Sequence, residues 1–200
     1  MRFTTRLGQI ALLAAAACTF MMCTKPEDTK QEQPASSAAT DSTAGMAQTE
    51  SNRGTASTTF GDKTVSINYG RPQLQGRDVL AMASDGMVWR MGMNEATEIK
   101  TEVDLKVGET VIPAGQYSLW MKKIGSDKWE LLFNKKTSIW GDGHPAEDDF
   151  ASAPMTMSTL PEAVEAFTIE VQAQDAATGN IIARWGTTAL STSFSVQSGS

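Results

Sequence analysis

The stretch "VWRMGMNEAT" (88–97) sets Arg90, Asn94 and Glu95 among Val, Trp and Met, and "NYGRPQLQGRD" (68–78) adds Arg71 and Arg77 beside glycine and proline turns. A guanidinium grips a carboxylate through two parallel hydrogen bonds, so these residue types can form either a structural ion pair or the polar lining of a ligand pocket. In "IKTEVDLKV" (99–107) the odd positions Ile99, Thr101, Val103, Leu105 and Val107 form one face. Carried backwards, that register turns Glu95 toward the core. A buried carboxylate without a partner costs several kcal/mol. Two escapes are open: Arg71, Arg77 or Arg90 meets Glu95 inside, or a bulge near Gly92–Asn94 flips the register. Both put polar groups where the sheet is irregular. The expected cluster is therefore Arg71, Arg77, Arg90, Asn94 and Glu95.

Other chemistries find less support. His144 is the sole histidine, it lies in the glycine-broken "WGDGHP", and no GxSxG elbow exists, so a hydrolytic triad is not expected. Zinc needs several His or Cys ligands, which the chain beyond residue 23 does not have. "GDGHPAEDDF" offers Asp142, Glu147, Asp148 and Asp149 at a spacing that fits no standard calcium loop, and reads as a solvated acidic loop. Met82, Met87, Met91 and Met93 could hold cuprous copper, but methionine is an ordinary core filler. No metal and no cofactor is expected. Tyr69, Trp89, Trp120 and Trp140 are the aromatic candidates for stacking on a sugar. Trp120 reads outward, opposite Tyr117 and Leu119, unless a second sheet covers that face. Glycoside hydrolysis would need a second carboxylate about 5–10 Å from Glu95, for which Asp78 and Asp85 are candidates.

The elements that must position these groups are strands. "KTVSINY" alternates Val65, Ile67 and Tyr69 with Thr64, Ser66 and Asn68. "QYSLWMKK" and "WELLFN" form a hairpin about "GSDK". "AFTIEVQA", the turn "ATGN" and "IIARW" repeat the pattern before "STSFSV". A period of two marks strands with one wet face. Only "PEAVEAF" could hold a helical turn. Eight to ten strands over 54–197 predict an all-β single domain, an antiparallel β-sandwich or jelly-roll-like barrel.

Upstream, "MRFTTRLGQIALLAAAACTFMMC" has a basic head, a short apolar run and a terminal cysteine, the layout of a lipoprotein-type signal peptide over 1–23. The run falls short of the roughly 20 apolar residues that span a bilayer. Cys18 follows three alanines and Cys23 precedes a soluble segment, so either is a candidate for lipidation. Residues 24–53 contain no aromatic, Val, Ile or Leu and read as a disordered polar tether. Such a segment has a root-mean-square span of roughly 30 Å. Cleavage would remove Arg2 and Arg6 but no acid, leaving 15 basic against 23 acidic groups, a net −8. No run of clustered basic residues is seen in the sequence to track a nucleic-acid backbone, so nucleic acid is not expected as the partner.

"INYGRPQLQGRDV", "VWRMGMNEATEI", "IPAGQYSLW", "KWELLFNKKTSIWG" and "LPEAVEAFTIEV" resemble, in order and spacing, the motifs of the bacterial family known as domain of unknown function 2911. The resemblance covers essentially all of 54–197. It implies secreted or lipid-anchored proteins of Bacteroidetes-type bacteria, and no particular activity, substrate or cofactor. The expectation is a lipid-anchored extracytoplasmic protein, held at a membrane (periplasmic or cell-surface, the outer membrane being the expected one). It serves as a binding or structural cell-envelope module with a carbohydrate or small-molecule ligand. The alternative is a glycan-acting enzyme using Glu95 and a second carboxylate.

Overall fold

The computed structural model describes residues 52–197, so the leader, both cysteines and the tether through residue 51 lie outside the described residues. Ten strands follow: β1 (Arg53–Phe60), β2 (Lys63–Gly70), β3 (Val88–Trp89), β4 (Thr97–Thr101), β5 (Asp104–Val107), β6 (Thr110–Ile112), β7 (Gly115–Gly125), β8 (Lys128–Asn134), β9 (Asp149–Ala173) and β10 (Thr178–Gln197). All pairings are antiparallel, in the order β1-β2-β4-β7-β8-β9-β10-β5-β6, with β3 beside β7. The domain is all-β and sandwich-like, and a single continuous sheet makes both layers. The first layer runs from β1 to the start of β9, and the second from the rest of β9 through β10 to β5 and β6.

Two long strands carry the sheet around. β9 pairs with β8 through Met155 and with β10 from Thr156 onward. Inward residues of the two layers meet in one core. Val65, Ile67, Ile99, Leu119 and Leu131 come from the first layer, and Phe167, Ile169, Ile181, Leu105 and Ile112 from the second. Phe60 meets Phe194 edge-on at 5.6 Å between ring centroids, and the Tyr69 hydroxyl donates to the Ile169 carbonyl at 3.3 Å. These contacts tie the layers together near their edges.

The alternation of "IKTEVDLKV" is real but spans two strands. β4 ends at Thr101, and β5 starts at Asp104 in the other layer. Between them the Thr101 hydroxyl donates to the Val103 carbonyl at 2.5 Å and closes the bend. "PEAVEAF" is not a helical turn but part of β9, opposite an irregularity where β9 has more residues than β10 between the pairs Thr168–Arg184 and Thr159–Thr188. Pro161 has no amide hydrogen to donate and sits inside this irregularity, where a missing ladder bond is tolerated. Leu74 N bonds the Glu165 carbonyl and Phe167 N bonds the Pro72 carbonyl, so residues 71–75 are stitched onto the bulged segment.

Trp120 is not on an open face. With Ala96 and Leu132 it forms a second, smaller buried cluster on the outer side of the first layer. A loop, 135–148, covers this cluster in place of the anticipated second sheet. Asn134 holds the loop shut: its amide nitrogen donates to the Pro145 carbonyl and the Asp149 carboxylate, both at 2.7 Å. His144 closes the arrangement, with its ring 4.9 Å from Trp120 and Nε2 2.9 Å from the same carboxylate.

Candidate functional site

The segment 90–96 leaves the sheet and returns to it through two left-handed residues, Met91 (φ 53°) and Asn94 (φ 63°). Of the two escapes open to Glu95, the structure takes the break in register. Thr97 resumes the inward set, and its hydroxyl donates to the Met91 carbonyl at 2.6 Å, fastening the base of the excursion. Gly70 allows the close approach this requires, since a Cβ there would stand 2.3 Å from the Met93 carbonyl oxygen.

Glu95 therefore points outward, with 42 % of its side chain exposed, and the expected interior pairing does not form. Its partner is none of Arg71, Arg77 or Arg90. Arg53, read from sequence as the last residue of the tether, opens β1 and donates from Nη1 to the Glu95 carboxylate at 2.8 Å. The same guanidinium donates from Nε to the Asn68 side-chain carbonyl at 2.7 Å, with a second bond from Nη2 to that oxygen. Asn68 in turn donates to the Thr55 hydroxyl at 3.2 Å.

Across from Asn68 in the register lies Glu98, which accepts from Gln116 at 2.8 Å and from the backbone amide of Ser138. Thr55, Ser66, Asn68, Glu98, Lys100 and Gln116 line a shallow cavity of about 200 Å³ on this outer face. An exposed aromatic lies opposite Glu95. Trp140, 55 % exposed, bridges Glu95 in antiparallel fashion. Ala96 N bonds the Ile139 carbonyl and Gly141 N bonds the Asn94 carbonyl, which makes 95 and 140 a non-hydrogen-bonded pair. In such pairs the side chains share one face with Cα atoms about 4.5 Å apart. The indole and the Glu95 carboxylate thus share one side of this bridge, and the Arg53 guanidinium links that carboxylate to the Asn68 amide.

The remaining expected residues separate. Arg90 donates from Nη1 to the Gly141 carbonyl at 2.6 Å and packs so closely on that glycine that a Cβ there would stand 2.1 Å from its Cδ. Arg90 thus binds the 138–141 loop, not Glu95. Asn94 contributes its backbone: a left-handed conformation and a carbonyl bonded by Gly141 N at 2.9 Å. Arg71 and Arg77 lie in a different cleft. Of the aromatics, Tyr69 is buried with its hydroxyl bonded, and Trp89 stacks on Trp185 at 5.3 Å and meets Phe167 edge-on. Trp120 is buried with Nε1 donating to Ser118 Oγ at 3.0 Å. Only Trp140 of the four presents its face to solvent. The Asp78 carboxylate is engaged elsewhere, capping Ala81 N at 3.0 Å beside Gly186. Among the described residues no three His, Cys, Asp or Glu side chains converge to hold a metal ion.

A family model described as Protein of unknown function (DUF2911) matches residues 51–194. The chain belongs to this family. No curated protein and no solved structure matches it. Membership covers the whole folded unit, from β1 into β10, and assigns no chemistry to the face just described.

Proposed function

We propose that this DUF2911 protein is a lipid-anchored, extracytoplasmic binding module whose outer face takes a hydroxyl-rich ligand, carbohydrate being the class that fits. The observation that carries the reading is the pairing of exposed Trp140 with Glu95, whose carboxylate Arg53 steadies. A sugar ring has an apolar face of C–H bonds that packs on indole and a rim of hydroxyls that both donate and accept. Glu95 and Glu98 supply acceptors, Arg53 and Lys100 donors, and Asn68 and Gln116 both. An aromatic anchor with a rim of oriented polar groups is the usual energetic plan of a binding patch. The cavity is shallow and its polar groups already bond one another, which suits capture of a ligand laid along the sheet. The lipid anchor and extracytoplasmic placement rest on the basic, apolar and cysteine-terminated N-terminus.

The test is binding of the full chain to a panel of soluble oligosaccharides, followed by calorimetry and native affinity electrophoresis. Loss of the aromatic anchor in Trp140→Ala is expected to weaken capture by roughly 30-fold or more, the 2 kcal/mol or above typical of an interface hot spot. Glu95→Gln is expected to weaken it with an unchanged melting temperature. Undiminished binding in Trp140→Ala, or no oligosaccharide bound by the natural sequence, would overturn the proposal.

A further inference from the structure

A second cleft lies where residues 71–77 dock on the bulged part of β9. It has a volume of about 260 Å³ and is lined by Arg71 and Arg77 together with Asn52, Gln73, Gln75 and Met93. In a chain with 23 acidic against 17 basic residues, two guanidinium groups share this cleft, and among the described residues neither has a carboxylate within salt-bridge distance. Like charges brought together without counter-charges repel, and an anion between them relieves the repulsion.

Both arginines are held by fixed backbone. Arg71 N donates to the Asn52 carbonyl at 2.7 Å, and its Nε donates to the Phe167 carbonyl at 3.5 Å. That bond takes the Nε position and leaves the terminal nitrogens free of protein acceptors among the described residues. Gln73 bridges Ala166 on β9. Leu74 to Arg77 form a tight turn closed by Arg77 N on the Leu74 carbonyl at 2.9 Å, with positive φ at Gln75 (48°) and Gly76 (74°), the signature of a type I′ turn. The nearest acid on β9, Glu165, is bonded to Gln75 N at 3.1 Å and is not part of the cleft lining.

We propose that this cleft is an oxyanion site, in which Arg71 and Arg77 grip a phosphate or carboxylate group and the side-chain amides of Gln73 and Gln75 meet whatever carries it. Guanidinium forks match the paired oxygens of both groups and give the strong, charge-assisted class of hydrogen bond. The volume lies just below the roughly 300–1,000 Å³ of drug-sized pockets, which suits a small anionic group and its immediate attachment. The site is separate from the Trp140 face and does not depend on it.

Titration of the full chain with inorganic phosphate, and separately with succinate as the carboxylate probe, tests the assignment. Saturable binding at millimolar concentration or below is expected for one of them, weakening as sodium chloride is added. Saturation by phosphate identifies a tetrahedral oxyanion and saturation by succinate a carboxylate. Arg77→Gln, at an exposed turn position, is expected to weaken binding by about 10-fold to 100-fold while the melting temperature holds, as loss of a charge-assisted hydrogen bond implies. Arg71→Gln is expected to do the same, and Trp140→Ala is expected to bind the anion normally. Absence of saturation by both probes overturns the site, as does natural affinity in both arginine variants.

Discussion

Asn94 shows how a residue of polar, site-like type can work through its backbone. A left-handed conformation costs an ordinary L-residue about 1–2 kcal/mol, less for Asn, and almost nothing for Gly. Because Asn94 has φ 63° and offers its carbonyl to Gly141 N, Asn94→Gly is expected to keep near-natural stability and Asn94→Val to lose about 1–2 kcal/mol in urea denaturation. Equal loss in both variants would show that the side chain itself matters. Sequence reasoning located the polar irregularity at 90–95 and left two routes open for Glu95; the structure takes the break in register, and its arginine partner is Arg53, not one of the three considered. Alternation cannot reveal where a chain leaves a sheet, and Met91 fills the core as its type suggests while its left-handed backbone leaves no mark in the sequence. Arg53 was hidden for another reason. In "RGTASTTF" only Phe60 is a large apolar residue on the inward face, so β1 carries no periodic signal and its first residue resembles the segment before it. The true partner also stands 42 residues from Glu95 along the chain.

The strands were legible where they alternate cleanly and blurred where they are long or bent. "AFTIEVQA", "IIARW" and "STSFSV" are pieces of just two strands, β9 and β10, whose remaining length is rich in Thr, Ser, Ala and Met and lacks a strong period. Their reversal falls at 174–177, earlier than the "ATGN" that invites a turn reading. Asp175 organises this reversal, accepting from Ala177 N, Thr178 N and the Thr178 hydroxyl, each at 2.7 Å. The Thr178 side-chain bond, with the Ala177 amide, holds the Asp175 carboxyl below its ordinary 3.8. Such a depressed value makes the ionised form favour the folded state. The stability advantage over Asp175→Ala is expected to be full above about pH 3.8, to decline below it, and to vanish once the pH passes under the lower folded-state value. Urea midpoints of both proteins across this range check the sign. An advantage that grew on acidification would contradict the turn-cap role.

On the scale of the whole molecule, the proposed arrangement is a rigid sandwich on a leash. In that arrangement the polar segment upstream of β1 serves as the tether, and a lipid at Cys18 or Cys23 would leave the Trp140 face and the arginine cleft free to reorient above the membrane. Palmitate labelling is expected to disappear in one of Cys18→Ala and Cys23→Ala and persist in the other. Labelling that survived loss of both cysteines would rule out the anchor, because a single acyl attachment point underlies it. Fold class was the most readable property at this scale, since turn spacing and period need no knowledge of who pairs with whom. The order of strands was not readable, because the sheet joins segments whose affinity for one another leaves no local trace.

One such join closes a large loop. β5, at Asp104–Val107, pairs on one side with the adjacent β6 and on the other with the distant Phe194–Gln197. Contacts between such distant segments form slowly, since the entropy of closing a large loop is lost before any contact repays it. Until Phe194–Gln197 docks, β5 has β6 as its ladder partner, and Leu105 and Val107 lack the strand that completes their layer. Lys106 alternates with Leu105 and Val107 along β5, and a charge at such a place disfavours pairing with a wrong strand.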